Sequence, residues 1–322
     1  MAHSRIGKVI GAMAAGVGGL VVANTYLAVT APPLLPPVHA ETQRHLWRGF
    51  RITYWVAGPE DAPPVVLIHG HHIAASAFEM RRPFISFAEH FRVYLVDLLG
   101  YGLSARPPLA YTRELFETLI ADFVRDVVGR PAHVVANALS AAHAITAAAT
   151  SPDLFRSLIL ICPAGIGAWD TPPSAGQRIA YELLRMPIVG EAMFNVLVSR
   201  PLLTYLLRDR LYANPSLVTS EMIDVYYATA HQPGARFAPA AFIGGQLNRD
   251  VHHAFGRLER PVHLIWGRLA GDVPVSLAQG FLALNEDARL HVIDDAGLMP
   301  QDEQPEAFAE LVTALIQEAE RE

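Results

Sequence analysis

The stretch His133–His143 reads HVVANALSAAH. Its first four residues are apolar and β-branched enough for a buried strand, and the residues after Ala138 are small helix formers. Neither glycine nor proline separates the two halves. The chain therefore passes from strand to helix through a sharp turn over Ala136-Asn137-Ala138-Leu139-Ser140. A strand feeding a helix this directly is the signature of a parallel, helix-covered sheet.

Outward from that turn the same alternation recurs. Further strand candidates are Arg51–Val56, Val65–His69, Arg92–Asp97, Leu158–Cys162, Val262–Trp266 and Leu290–Ile293, separated by helical patterns. They predict an α/β fold with a mostly parallel twisted sheet and helices on both faces. The first of them, before Gly58, is expected to pair antiparallel at an edge. The alternation stops between about residues 168 and 245. Helical patterns at Tyr181–Leu184, Phe194–Leu207 and Met222–Ala230, with repeated prolines, suggest a helical cap inserted over the sheet. The expected division is an anchor over 1–31, a proline-rich linker over 32–45, a core formed by 46–167 and 246–322, and the cap over 168–245.

Five segments follow one another in a recognisable order. They are VVLIHG (Val65–Gly70), VDLLGYGLS (Val96–Ser104), the turn at 136–140, LIWGRLAGDVP (Leu264–Pro274) and AGLMPQDEQP (Ala296–Pro305). Together they resemble the α/β-hydrolase superfamily, in the capped branch of esterases, epoxide hydrolases and dehalogenase-like enzymes. That resemblance implies a nucleophile elbow, G-x-S-x-G, at 136–140. It also implies an acid in the loop after Gly267 and a base two residues past Ala296. The residues at those three positions are Ala138, Ala270 and Leu298. A serine attacks only when a histidine takes its proton and a carboxylate holds that histidine. A methyl group, a second methyl group and an isobutyl group perform none of these steps.

Other residues are weighed as substitutes. Ser140 lies on the first turn of the helix after the elbow, where a small residue also serves helix–strand packing. Asp272 reaches the acid position only if its loop slips by two residues. Asp294 and Asp295 precede the base position but do not replace an imidazole. His69, Gly70, His71 and His72 surround the segment that the resemblance makes an oxyanion loop. Its backbone donors would be His71 and Leu139. His69, Gly70, His71 and Leu139 are the candidate ligand-binding set, and His72 is, with Ser140 and Asp272, a fallback catalytic candidate. Adjacent histidines diverge and no carboxylate is evident beside them, so no metal is assigned. His143 and His291 read as structural, and His252-His253 as helix surface.

The chain has 322 residues, 52% hydrophobic and 17% charged, with a formal net charge of -6. Nucleic-acid binding is excluded on that balance. The single cysteine, Cys162, forbids an intrachain disulfide and reads as a buried hydrophobe. Val9–Ala31 carries no charged side chain, follows Arg5 and Lys8, and is stopped by Pro32-Pro33. This is long enough to cross a bilayer and lacks a good cleavage site, so a single-pass membrane anchor is expected. Arg44, Arg48 and Arg51 balance the basic residues before it, so the positive-inside rule does not orient it.

The function expected from these readings is that of a membrane-anchored, non-catalytic binding or assembly protein without a cofactor. Its partner would be a lipophilic small molecule or a membrane protein, met through a cap rich in Leu202, Leu203, Tyr205, Leu206, Tyr226 and Tyr227. The alternative is an enzyme of the same superfamily acting on a lipophilic ester or acyl substrate. It would use Ser140 or His71/His72 with Asp272 or Asp97.

Overall fold

A computed structural model describes the backbone of residues 2–321 and the side chains from residue 16 onward. Its single sheet has eight strands: β1 (Thr42–Trp47), β2 (Phe50–Ala57), β3 (Pro64–Ile68), β4 (Arg92–Asp97), β5 (Ala132–Asn137), β6 (Phe155–Ile161), β7 (Val262–Gly267) and β8 (Arg289–Ile293). Their order is β1-β2-β4-β3-β5-β6-β7-β8. The pairs β1–β2 and β2–β4 are antiparallel and all others parallel. Every strand read from the sequence is present. Strands β3 and β5, at the centre, are buried along their whole length, as expected of parallel strands covered on both faces.

Strand β1 is the addition. It falls partly inside the stretch assigned to the linker, and it takes the sheet edge expected of β2. Its sequence, TQRHLW, has too little apolar character to stand out. A two-residue hairpin at Arg48-Gly49, both at positive φ, folds it onto β2.

The helices are α1 (Ala2–Thr30), α2 (Arg81–Phe87), α3 (Arg113–Phe123), α4 (Ala138–Thr150), α5 (Ala175–Arg185), α6 (Val189–Leu197), α7 (Arg200–Tyr205), α8 (Ser220–Ala230), α9 (Phe237–Ile243), α10 (His252–Phe255), α11 (Ala278–Leu282), α12 (Pro300–Glu303) and α13 (Pro305–Ala319). Helices α5–α9 form the cap, with a core of their own built from Leu184, Phe194, Leu203, Met222 and Tyr226. The helix read over Phe194–Leu207 is two helices. Val198 and Ser199 break it, and Pro201 restarts it in the first turn of α7.

Among the described residues, no helix is long and apolar enough to cross a membrane. The first part of the expected span, 9–15, lies outside the residues whose side chains are described. The later part of α1 packs on the cap. Asn24 is buried there, donating from Nδ2 to the Ile188 carbonyl at 2.9 Å and accepting from Asn195 Nδ2 at 3.1 Å. The linker is also docked: Gln232 Nε2 donates to the Pro32 carbonyl at 3.2 Å, and Val38 is buried.

Two glycines mark where loops come together. A Cβ on Gly102, at φ +48°, would stand 1.9 Å from Asp97 Oδ1. The Asp97 carboxylate needs that space to accept from the N–H groups of Ala77 and Leu103. A Cβ on Gly267 would meet the Gly297 carbonyl at 2.0 Å, because the loops carrying Ala270 and Leu298 cross there.

Candidate functional site

The carboxyl ends of the parallel strands point one way, and the loops leaving them define a crevice in folds of this type. The turn after β5 is the sharpest. Ala138 sits there at φ +50°, a region that a residue with a Cβ enters at a cost of about 1–3 kcal/mol. The conformation is imposed from both sides, by β5 paired with β6 and by α4 starting at once. The Ala138 carbonyl also accepts from the Ala164 N–H at 3.2 Å. Asn137, Leu139 and Ser140 are buried, and only Ala138 keeps accessible surface. The elbow thus presents its tip as a nucleophile elbow would, and the tip is a methyl group. Ala138→Gly should raise stability by about 1 kcal/mol, since glycine carries no penalty at positive φ. Urea titration of the two proteins checks this, and a fall of that size instead would show that the turn is unstrained.

The residues expected at the acid and base positions are packed into the core. Ala270 and Leu298 are both buried in the main hydrophobic core. The Leu298 N–H donates to the Leu211 carbonyl of the cap at 2.9 Å. Asp272, two residues beyond Ala270, is partly exposed and is held by Arg210, whose Nε donates to its Oδ2 at 3.1 Å. It touches no histidine.

Ser140 Oγ is buried without any hydrogen-bond partner. His71, a candidate base from the oxyanion segment, is committed elsewhere. Its Nε2 lies 3.2 Å from His143 Nδ1, and His143 Nε2 lies 3.0 Å from the Leu247 carbonyl. A carbonyl only accepts, so His143 carries its proton on Nε2 and accepts at Nδ1. His71 then donates from Nε2, and its Nδ1 accepts from the Tyr101 hydroxyl at 3.2 Å. The chain of donors runs Tyr101 → His71 → His143 → Leu247, with every member neutral. Burial enforces this: it pushes the His71 imidazole well below its ordinary value and His143 down to about 4, and it raises the Tyr101 phenol. The ring of Phe116 stacks on His143 and closes the network to water.

His72 is likewise used up. Its Nδ1 accepts from the Ala74 N–H at 3.2 Å, and its Nε2 donates to Glu79 Oε1 at 2.8 Å. Glu79 also accepts from the Gly70 N–H at 3.0 Å. Burial works to raise the Glu79 carboxyl, but the facing His72 and these donors bring it below the ordinary range. His69 accepts from the Leu98 N–H at Nε2 and turns Nδ1–H onto the Gly70 carbonyl. Among His69, His71, His72, Ser140 and Asp272, no two are hydrogen-bonded to one another.

Several residues that matter here were not singled out from the sequence. Glu79 was legible, since Ser76-x-x-Glu79 is a capping box for the turn at Ala77–Met80. Asp302 and Glu303 carried only the weaker signal of two acids in a first helical turn after Pro300. Both tie the cap to the loop bearing Leu298. Glu303 accepts from the N–H groups of Gly297 (2.6 Å), Ala213 (2.7 Å) and Asn214 (3.2 Å). Asp302 is gripped by Arg81, Arg82 and the Tyr212 hydroxyl. Met299 joins the cap's own apolar cluster beside Tyr226, and its sulfur faces Asn137 Nδ2 at 3.5 Å. The cap is thus sutured to the loop that carries Leu298. Asp302→Ala strands the largely buried Arg81 and should cost about 3 kcal/mol. Arg82→Ala, at a half-exposed partner, should cost under about 1 kcal/mol. Denaturant midpoints of the two variants test that ranking, and equal losses would count against it.

A second hydroxyl–imidazole–carboxylate line exists at the other end of the strands. Ser157 Oγ lies 2.7 Å from His133 Nδ1, and His133 Nε2 lies 3.0 Å from Glu320 Oε1. Both Ser157 and His133 are sealed in the core, so this line holds α13 to the sheet. Cys162 is also buried, its thiol pushed up to about 12 by that burial. Among the described residues no cluster of three or more histidine, cysteine or acidic side chains is placed to hold a metal ion. An apolar cleft of about 420 Å³ opens between the linker and the cap, lined by the run Pro32–Pro37 and by Phe78, Leu103, Val225 and Ala228. The ion pair Arg200–Asp224 borders it.

A model of the α/β hydrolase family matches residues 65–311. The 2-(acetamidomethylene)succinate hydrolase of Mesorhizobium japonicum is 32% identical over 111 residues, 34% of this chain and 39% of that protein. A haloalkane dehalogenase of Bradyrhizobium diazoefficiens is 29% identical over 180 residues, 52% of this chain and 57% of that protein. The chain therefore spans less than two thirds of these relatives. Among solved structures, a serine hydrolase involved in carbazole degradation superposes with a TM-score of 0.71 at 22% identity, over 86% of this chain and 99% of that one. A membrane phospholipase A superposes with a TM-score of 0.72 at 22% identity, over the whole of both chains.

Proposed function

The chain belongs to the α/β hydrolase family, and from that premise we propose that it is a membrane-anchored member that binds rather than hydrolyses. The observation that carries this reading is the strained elbow with a methyl group at its tip. Leucine and alanine fill the base and acid positions, and each nearby histidine is committed to another partner. Losing one triad member costs orders of magnitude in rate, and the remainder then has no reacting partner. A lipophilic ligand suits the cleft between linker and cap, whose volume is in the range of small-molecule sites. Membrane attachment rests on the uncharged run Val9–Ala31 of the sequence.

The reading is tested with p-nitrophenyl acyl esters and a fluorophosphonate probe. Turnover should not exceed buffer, and no serine should be labelled. Labelling at Ser140 would establish the competing reading, an unorthodox esterase.

A further inference from the structure

We propose that the cap lies on the bilayer through one apolar face formed by α5, α6 and α7; this rests on the membrane-anchored reading above. The exposed large apolar side chains of this protein are not scattered. Outside α1 and the linker, and apart from this stretch of the cap, only Leu46, Ile85 and Leu269 are exposed among the described residues. On α5 the exposed residues are Ile179 and Leu183, with Met186 just after it. On α6 the set is Val189, Met193 and Val196, and on α7 it is Leu202 and Tyr205. The first two sets follow i, i+4, i+7, so each helix turns one stripe outward while Leu184 and Phe194 turn inward to the cap core. Val196 is 64% exposed, an uncommon state for a valine on a helix that already has a buried face.

What covers this face is indicated by its neighbour. Helix α6 is the element to which α1 is docked, through Asn24 with Ile188 and Asn195. The exposed apolar residues of α1 (Val21, Val22, Tyr26, Val29) therefore stand on an element in contact with a helix that carries part of the stripe. A segment that enters lipid places what it is bound to at the lipid surface. Charge does not mark this face, since Arg200 is paired with Asp224 and Arg210 with Asp272; its apolar stripes are what a helix lying in the headgroup region turns toward lipid.

The test uses the full chain in phosphatidylcholine vesicles containing phosphatidylglycerol. Val196→Cys and, separately, Ile85→Cys carry a polarity-sensitive fluorophore; the native Cys162 is buried and does not compete. Flotation first reports attachment. Spin-labelled lipid should then quench the probe at 196 by at least about twofold, because such helices sit ~5–10 Å into the interface, and leave the probe at 85 unchanged. Flotation with equal, weak quenching at both positions would overturn the docked cap while leaving the anchor standing. Failure to float would overturn both. A probe at 196 shielded from lipid but crosslinking to a second copy would show that a dimer, not the bilayer, covers the face.

Discussion

The protein should lose stability as the pH falls from about 6.5 to 4, a higher window than carboxylate protonation alone produces. Six histidines are held below their ordinary value, each chiefly by burial: His71, His133, His143, His231, His263 and His291. A histidine whose folded pKa is depressed binds its proton more readily in the unfolded chain. Stability is therefore complete above the unfolded value near 6.5 and drains away as the pH falls toward the folded value. For His143, brought from 6.5 to about 4 and fully buried, this amounts to about 3 kcal/mol over the window. His263 is also brought to about 4, but it is less enclosed and contributes less.

Three carboxyls, the buried Asp97 and Glu303 and the partly buried Glu117, are raised by burial and work the other way, since the folded state takes up their protons first. They offset part of the loss. The net effect is a loss of stability toward acid, of which His143 is the largest single contribution that can be sized. Urea midpoints at a series of pH values between 7.5 and 4 measure the slope directly. His143→Gln should flatten it, because the amide offers an acceptor to His71 without a proton to gain. A midpoint that stays level to pH 5 would mean that these imidazoles are not neutral in the folded protein.

The second large effect concerns rebuilding. Ala138→Ser alone should give no fluorophosphonate labelling, since the leucine at 298 takes no proton and Ala270 orients nothing. The triple variant Ala138→Ser, Ala270→Asp, Leu298→His should label at least about a hundredfold faster, because the relay members act as a unit. The structure supports the attempt in three ways. The elbow already holds the positive φ, its tip is the accessible residue, and the two loops already cross at Gly267 and Gly297. Robust labelling of the single variant would mean that the base and acid positions have been assigned to the wrong residues. A folded but inert triple variant would mean that the Glu303 and Asp302 sutures hold the cap too close over the elbow for a probe to enter.

Much of the site's frame was readable along the chain because it depends on short, contiguous patterns. The strands at Val65–Ile68 and Ala132–Asn137 are near-continuous apolar runs, and the glycines at 100, 102 and 267 are spaced by the turns they serve. Strand β1 was hidden because an edge strand with one wet face has little apolar signal. The break at Val198–Ser199 was hidden because helical periodicity continues through it.

That Ala138, Ala270 and Leu298 carry no nucleophilic, acidic or basic group follows from the sequence alone, since a side chain's chemistry is local; that they occupy the three triad positions is what the resemblance implies. What each remaining group does was decided only in three dimensions. Ser140, His71, His72 and Asp272 are all chemically able residues, and a sequence cannot say which will meet. Packing brought His71 to His143 and Tyr101, His72 to Glu79, and Asp272 to Arg210. Ser140 Oγ was left with no partner at all. Those pairings join residues up to 72 positions apart. Hydrogen-bond direction and burial, which exist only in the folded chain, fix their protonation.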